Sequence, residues 1–183
     1  DWTVIDGAAA AKAFARQLEK IPLDIQMWTS ISGAINHGLD LFNFNPHKGK
    51  RRVLDISGDG PNNDGALVTK ARGLMLSQGI VINGLPIING RVSRYGLAPM
   101  ENLDLYYRDC VIGGFGAFIV VANTFNDFAR AVRRKLILEI AGRIPERRKP
   151  GAAKLIRARA STPVPRPMPC DVGEIIRDNR ESF

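Results

Sequence analysis

The residues from Arg51 to Gly79 constrain this chain most. An apolar, β-branched run, "RRVLDIS", breaks into the glycine- and asparagine-rich loop "GDGPNNDG" and then into a helical pattern with Leu67, Ala71 and Leu74 on its inward face, closed by Gly79. The next stretch, "GIVINGLPII", reads as a second buried strand, with a hairpin turned at Asn83-Gly84 as the alternative. A helical pattern near "ENLDLYYRDC" follows, then the apolar strand "AFIVVA". The helix "TFNDFARAVRRKLILEIAG" comes last, with Phe125, Phe128, Val132, Leu136 and Ile140 on one face and Thr124 and Asp127 as its capping pair. Strands alternating with helices predict an α/β fold: a mostly parallel sheet with strands at 51–57, 80–85 and 117–121, covered by helices on both faces.

Upstream, "TVID" reads as a short strand running from Trp2 to Ile5. Asp6 then caps a helix with Ala11, Phe14, Leu18 and Ile21 at helical spacing. A further helix, "TSISGAINHGLDLF", carries Ile31, Ala34, Ile35, Leu39 and Phe42 on one stripe, with Thr29 at its start. At 183 residues and 45% hydrophobic, the chain accommodates one domain with a sizeable core. No window reaches the roughly 18 consecutive apolar residues of a membrane span, and the first residues lack the basic start and apolar run of a secretory signal. Cys110 and Cys170 are too few for a disulfide framework and lack C-x-x-C spacing, so Cys110 reads as a packed thiol and the redox compartment is left open.

The net charge of +8 raises the question of nucleic-acid binding, and its distribution answers it. Between residues 142 and 170 eight Lys and Arg stand against one acid, among six of the chain's eleven prolines. The charge therefore belongs to a tail. Residues 142–183 are expected to form a basic, proline-rich, mostly irregular extension, with a short helix at Ala152 to Ala160, while residues 1–141 form the folded body. With no aromatic residue between Phe128 and Phe183 to stack on bases, no specific nucleic-acid partner is expected.

The loop after the first long strand is the candidate site. Side chains alternate along a strand, so Asp55, Ser57 and Asp59 project to one side, and Asp59 falls at the carboxyl end, where ligands bind in open α/β sheets. Asp59, Asn62, Asn63 and Asp64 offer the oxygen ligands that Mg²⁺ and Ca²⁺ take, although such a run also makes a hydrogen-bonded turn. Other motifs fail. With Gly65 as the central glycine of an EF-hand loop, Gly60 and Ala71 would stand where carboxylates are required. Neither a Gly-Lys-Ser/Thr phosphate loop nor a G-x-S-x-G nucleophile elbow occurs. His37 and His47 read as solvated, Asp55 as an acceptor of backbone or serine hydrogen bonds, and only one of Tyr106 and Tyr107 is expected to face the core. Arg133, Arg134 and Lys135 suit the negative end of the last helix.

"VLDISGDGPNN", "GIVINGLPI", "YYRDCVIGGFGAF" and "VRRKLILEIA", in that order, resemble an uncharacterised bacterial domain-of-unknown-function family of von Willebrand factor A-like domains, over nearly all of residues 1–141. The resemblance implies a Rossmann-like von Willebrand factor A fold with a metal-ion-dependent adhesion site at the carboxyl edge of its sheet. In that superfamily the site takes a D-x-S-x-S triplet from the first strand, a threonine from a later loop and an aspartate after the fourth strand. Here the threonine position is similar to Thr29 and the aspartate to Asp59, followed by Gly60, with Ser57, Asn62 and Asn63 as weaker candidates. No D-x-S-x-S occurs in the chain, so the resemblance implies an N-terminally truncated domain without its first strand, first helix and second strand, and a half-complete metal site. Mg²⁺ or Mn²⁺ is then expected to bind weakly, with water replacing the absent ligands.

The function expected is that of a non-catalytic protein-binding module whose partner supplies an acidic residue to the cation. The strand at Trp2 to Ile5 would have lost its neighbours, and an exposed sheet edge would favour self-association. The alternatives are a metal-assisted hydrolase using the same loop with Asp55 or His37 as base, and a truncated chain without independent function. Any export signal of a full-length relative would lie in the absent segment.

Overall fold

A computed structural model describes residues 2–22, 27–90, 92, 96, 98–140 and 168–181. Strand β1 (Val53–Gly58) pairs in parallel with β2 (Val81–Pro86), in the register Val53 to Val81 through Gly58 to Pro86. Helix α3 (Val68–Ser77) makes the crossover between them. The segment 118–122 runs parallel along the far side of β2, through bridges from Gly84 to Ile119 and Ile87 to Ala122 and hydrogen bonds such as Gly84 N to Phe118 O at 3.1 Å and Val120 N to Gly84 O at 3.0 Å. The expected three parallel segments are therefore present, the third as bridges and not a full ladder. Asn83-Gly84 lies inside β2, so the hairpin alternative is excluded.

Alternation along β1 divides the molecule into layers. Ile56 and half-buried Leu54 face α2 (Ile31–Asn43) and α3, joining Ile31, Ile35, Val68, Ala71 and Met75 in the main core. Gly38 of α2 packs against Leu54, where a Cβ would come within 2.9 Å of Cδ1. On the other face lies α5 (Phe125–Ile140), with Leu85, Val120, Ala122 and Ala131 in a second cluster. Helices thus cover both faces of a parallel sheet, as expected for an α/β fold.

Several faces are rotated from their expected positions. In α3 the buried residues are Val68, Ala71 and Met75, whereas Leu67 and Leu74 are exposed. In α5, Leu136 and Ile140 are exposed and Ala131 and Lys135 are buried, while the side chain of Phe125 lies outside the described residues. Its apolar stripe misleads because the face packed on the sheet is built around a charge. Lys135 Nζ, in a side chain only 4% exposed, ion-pairs with Asp55 of β1 and, at 3.0 Å, with Glu139. Glu139 accepts from Asn83 Nδ2 at 2.6 Å, and Asn83 Oδ1 accepts from Phe118 N at 3.1 Å. One network thereby spans α5, both strands and the 118–122 segment. Burial lowers the Lys135 pKa, and the hydrogen bond and charge of Glu139 oppose that shift. The expected Thr124–Asp127 cap is present, with Asp127 N donating to Thr124 Oγ1 at 3.2 Å.

The amino-terminal residues differ more. Trp2 to Ile5 forms no strand: Trp2 Nε1 donates to Leu41 O at 3.1 Å and its ring lies 5.4 Å from that of Phe42, on α2. Helix α1 (Ala8–Leu18) forms as expected but buries no residue, and Leu18 and Ile21 are exposed. Its apolar spacing suffices for a helix but finds no core. Among the described residues no helix is long and apolar enough to cross a membrane.

Replacing Lys135 with methionine leaves Asp55 and Glu139 uncompensated beneath α5. The expected loss of stability in urea unfolding is about 2–3 kcal/mol, less than for a fully buried pair because Asp55 is partly exposed. An unchanged urea midpoint would mean that the network does not hold α5.

Candidate functional site

The carboxyl edge of β1 leads into the loop from Asp59 to Ala66, whose conformation is set by two adjacent asparagines. The Asn63 side chain accepts from Thr29 N at 2.6 Å through Oδ1, and its backbone N–H donates to Thr29 O at 2.9 Å. Asn62 Oδ1 accepts from Ser32 N at 2.8 Å, satisfying a donor in the first turn of α2, a helix with no side-chain cap of its own. Asn62 Nδ2 donates to Ala66 O at 3.1 Å, and Asn62 N donates to the Tyr106 hydroxyl at 3.1 Å. Ser30 Oγ and Ser32 Oγ both donate to Asp64 O, at 3.1 and 3.3 Å. The start of α2 and the loop, some thirty residues apart in sequence, are stitched into one edge.

This stitching places Thr29 against Gly60, the residue after Asp59. Thr29, half-buried, faces the Asp59-Gly60 turn closely enough that a Cβ built on Gly60 would lie 3.4 Å from Thr29 Oγ1. Asp59 is exposed and accepts from Asn89 Nδ2 at 3.1 Å through Oδ2. A cavity of about 190 Å³ opens beside it, lined by Asp59, Ile88, Asn89, Met100, Glu101 and Asn102. Ser57, two residues earlier on β1, is exposed. Asn62 and Asn63 are buried, and their side-chain oxygens are engaged by backbone N–H groups, so both act here as organisers of the loop. Asp55 is engaged by Lys135, and His37 and His47 are exposed. Among the described residues no group of three or more His, Cys, Asp or Glu side chains converges as a metal cage.

Beneath the loop, α4 (Leu103–Tyr106) continues into a π-helical turn (Tyr107–Val111), in which Ile112 N bonds to Tyr107 O at 2.9 Å. The wider turn rotates successive side chains by less than an α-helix does, and Tyr106 and Tyr107 are both fully buried, against the expectation that only one would face inward. Burial pushes the Tyr106 phenol up to about 12, against the lowering effect of the Asn62 N–H. Burial, followed by the charges of Tyr106 and Asp59, pushes Tyr107 higher still. The Tyr107 hydroxyl sits against Gly58, where a Cβ would come within 2.7 Å of it, and has no hydrogen-bond partner among the described residues.

Sequence reasoning missed a disulfide at this edge. Cys110, in the π-turn, is bonded to Cys170 across a sequence separation of 60, with the Cα atoms 5.4 Å apart, so it is not a packed thiol. In the chain-entropy account, closing a loop of that length is worth about 4 kcal/mol. The bond tethers α6 (Val172–Glu181), which lies in the tail expected to be irregular. Glu174 Oε1 accepts from Asn62 Nδ2 at 2.6 Å, Arg177 Nη1 donates to Asn63 O at 3.1 Å, and Met168, Cys170 and Val172 pack against the main core. Prolines and the excess of basic residues, the signals of an irregular tail, stop before Asp171, and they do not report a helix whose contacts are made by a few specific residues. The boundary at 141/142 and the helix at 152–160 lie outside the described residues.

A family model described as "Protein of unknown function (DUF1194)" matches residues 1–144. No curated protein matches the chain. Among solved structures, it is similar to proximal thread matrix protein 1 from the mussel byssus, at 15% identity and a TM-score of 0.45, with 75% of this chain and 30% of that one covered. It is also similar to the conserved hypothetical protein BatB from Bacteroides thetaiotaomicron, at 20% identity and a TM-score of 0.44, with 73% and 71% covered. The chain thus spans about a third of the length of the mussel protein.

The buried phenols give the edge a pH signature. Because both folded-state values lie above the unfolded tyrosine value near 10, their contribution to stability is complete below pH 10 and is lost as the pH rises toward and through about 12. Titration by phenolate absorbance should therefore show Tyr106 and Tyr107 ionising late and together with unfolding. Two phenols ionising near 10 in the folded chain would contradict their burial.

Proposed function

The chain belongs to the family of proteins of unknown function whose model matches its residues 1–144, and for this member we propose a non-catalytic, von Willebrand A-like protein-binding module that uses a divalent cation at the carboxyl edge of β1. The observation that supports this reading most is the approach of the Thr29 hydroxyl to Gly60, the residue that follows Asp59; a threonine hydroxyl and a carboxylate are both hard oxygen donors. Thr29 and Asp59 are the residues that would hold Mg²⁺ or Mn²⁺, with Ser57 the remaining candidate on β1. A bound cation supplies positive charge and open coordination positions at an exposed edge. Two protein oxygens are a sparse set, so binding is weak and water fills the rest. An acidic side chain of a protein partner would complete the shell and neutralise the charge, which makes recognition dependent on the cation. The hydrolase reading gains nothing from Asp55, which is engaged by Lys135.

Self-association is the second part of the proposal. Arg52 O and Gly58 O accept from Val81 N and Ile87 N on the β2 side, so alternation turns the backbone groups of Val53, Asp55 and Ser57 toward the other edge of β1. No strand pairs with that edge among the described residues. Such an edge accepts a further strand, and Val4, Ile5, Leu18 and Ile21 add exposed apolar surface in the amino-terminal region.

Calorimetric titration of Mg²⁺ and Mn²⁺ into the intact chain should give binding with a Kd on the order of millimolar. Asp59→Ala should abolish it and Thr29→Val should weaken it, with far-ultraviolet circular dichroism unchanged. Equal heats from the parent and the Asp59→Ala chain would remove the cation from the account.

A further inference from the structure

The carboxyl-terminal helix is held on the candidate edge by a few polar contacts whose formation carries a cost. Glu174 is 8% exposed, and while its Oε1 meets Asn62, its Oε2 is buried without a hydrogen-bond partner among the described residues. Burying a carboxylate oxygen without a donor is costly. The fit is also tight: a Cβ at Gly173 would overlap the Asn62 carbonyl oxygen and press on Pro61. At ten residues α6 is shorter than a helix that persists alone in water, and Ile175 and Ile176 remain 48% and 40% exposed. What offsets these costs is the covalent tie from Cys170 to Cys110, the small apolar contact of Met168, Cys170 and Val172, and the hydrogen bonds from Asn62 to Glu174, from Arg177 to Asn63 O and from Arg180 to Gly96 O.

We propose that the Cys110–Cys170 pair is a two-electron switch that decides whether α6 clamps the Asn62–Asn63 loop. The chemistry is thiol–disulfide exchange with a dithiol. A thiolate of the dithiol attacks Cys170 Sγ, the sulfur of the half-buried partner, forming a mixed disulfide and releasing Cys110 as a thiolate that takes up a proton. The second thiol of the reductant then attacks the mixed disulfide, closes its own disulfide and leaves Cys170 as a thiol. Two electrons and two protons pass to the protein. Once untethered, α6 has an unsatisfied buried carboxylate to rehydrate and little apolar area to lose, so it leaves. Asn62 then gives up its bond to Glu174, and Asn63 its carbonyl contact with Arg177. The loop keeps its bonds to Thr29, Ser32 and Tyr106 but loses its cover. An oxidising compartment keeps the clamp closed, and dithiol-rich surroundings open it.

Hydrogen exchange on the whole chain, read by mass spectrometry with free thiols counted, tests the switch without reference to any cation. Reduction by dithiothreitol should expose two thiols and speed exchange across residues 59–66 by at least about tenfold, leave the amides of β2 unchanged, and reverse on reoxidation. Gly173→Ala should produce the same acceleration with the disulfide intact, because it displaces the helix and not the bond. Three results would overturn the proposal: unchanged exchange with both thiols free, acceleration extending through β2, which would make the bond purely structural, or no effect of Gly173→Ala.

Discussion

Asn62 and Asn63 are the point on which the candidate edge of this molecule depends. Their side-chain oxygens accept from the backbone of Thr29 and Ser32, and the N–H of Asn62 reaches the Tyr106 hydroxyl from below. Buried backbone donors left without such partners would each cost about 1–3 kcal/mol, so the loop and the first turn of α2 are set as a unit. The placement of Thr29 beside Asp59-Gly60 is a consequence of that unit. So is the seating of α6, whose Glu174 and Arg177 engage the same two residues.

The opposite face of the sheet uses a different device. There Lys135 binds Asp55 and Glu139, and Glu139 binds Asn83, so polar groups join the apolar contacts of Ala131, Val132 and Leu138 in docking the helix. A network of this type is specific in register: Asp55, Asn83 and Lys135 must align for all partners to be satisfied. It fixes α5 relative to both strands. On the main-core side, close packing at Gly84, where a Cβ would meet Tyr107 Cδ1 and Ile112 Cγ2 at 2.9 Å, lets the π-turn rest directly on β2. The two faces therefore hold the strand ends rigidly while leaving Asp59 exposed.

What could be read from the sequence follows from what apolar patterning reports. Runs such as "VLDIS" and "VINGLP" announce burial by composition, and their separation by a helical pattern implies a parallel pair, which β1 and β2 form. Patterning reports which positions are apolar, not which are buried, so it placed Leu136 inward where Lys135 goes, and Leu74 inward where Met75 goes. It also gave Trp2 to Ile5 a strand, although a strand needs a partner and Trp2 finds α2 instead. The π-turn depends on one shifted backbone bond, and the Cys110–Cys170 pair on proximity across 60 residues; neither leaves a local signal. At the site, the choice of Asp59 and Thr29 rests on resemblance to a known site pattern, and what the structure adds is the approach of Thr29 to Gly60. Asn62 and Asn63 read either as ligands or as a hydrogen-bonded turn, because an amide oxygen that could bind a cation is chemically the same one that binds an N–H, and the structure has the turn.

The claim that the asparagine pair couples the loop to its surroundings is tested most directly by a double-mutant cycle between Asn62→Ala and Glu174→Ala, measured by urea unfolding of the oxidised chain. Because the two side chains share a hydrogen bond to a charged group, each substitution should destabilise and the pair should be non-additive by about 1–3 kcal/mol. Strict additivity would contradict the account, since Asn62 would then hold the edge without α6 depending on it.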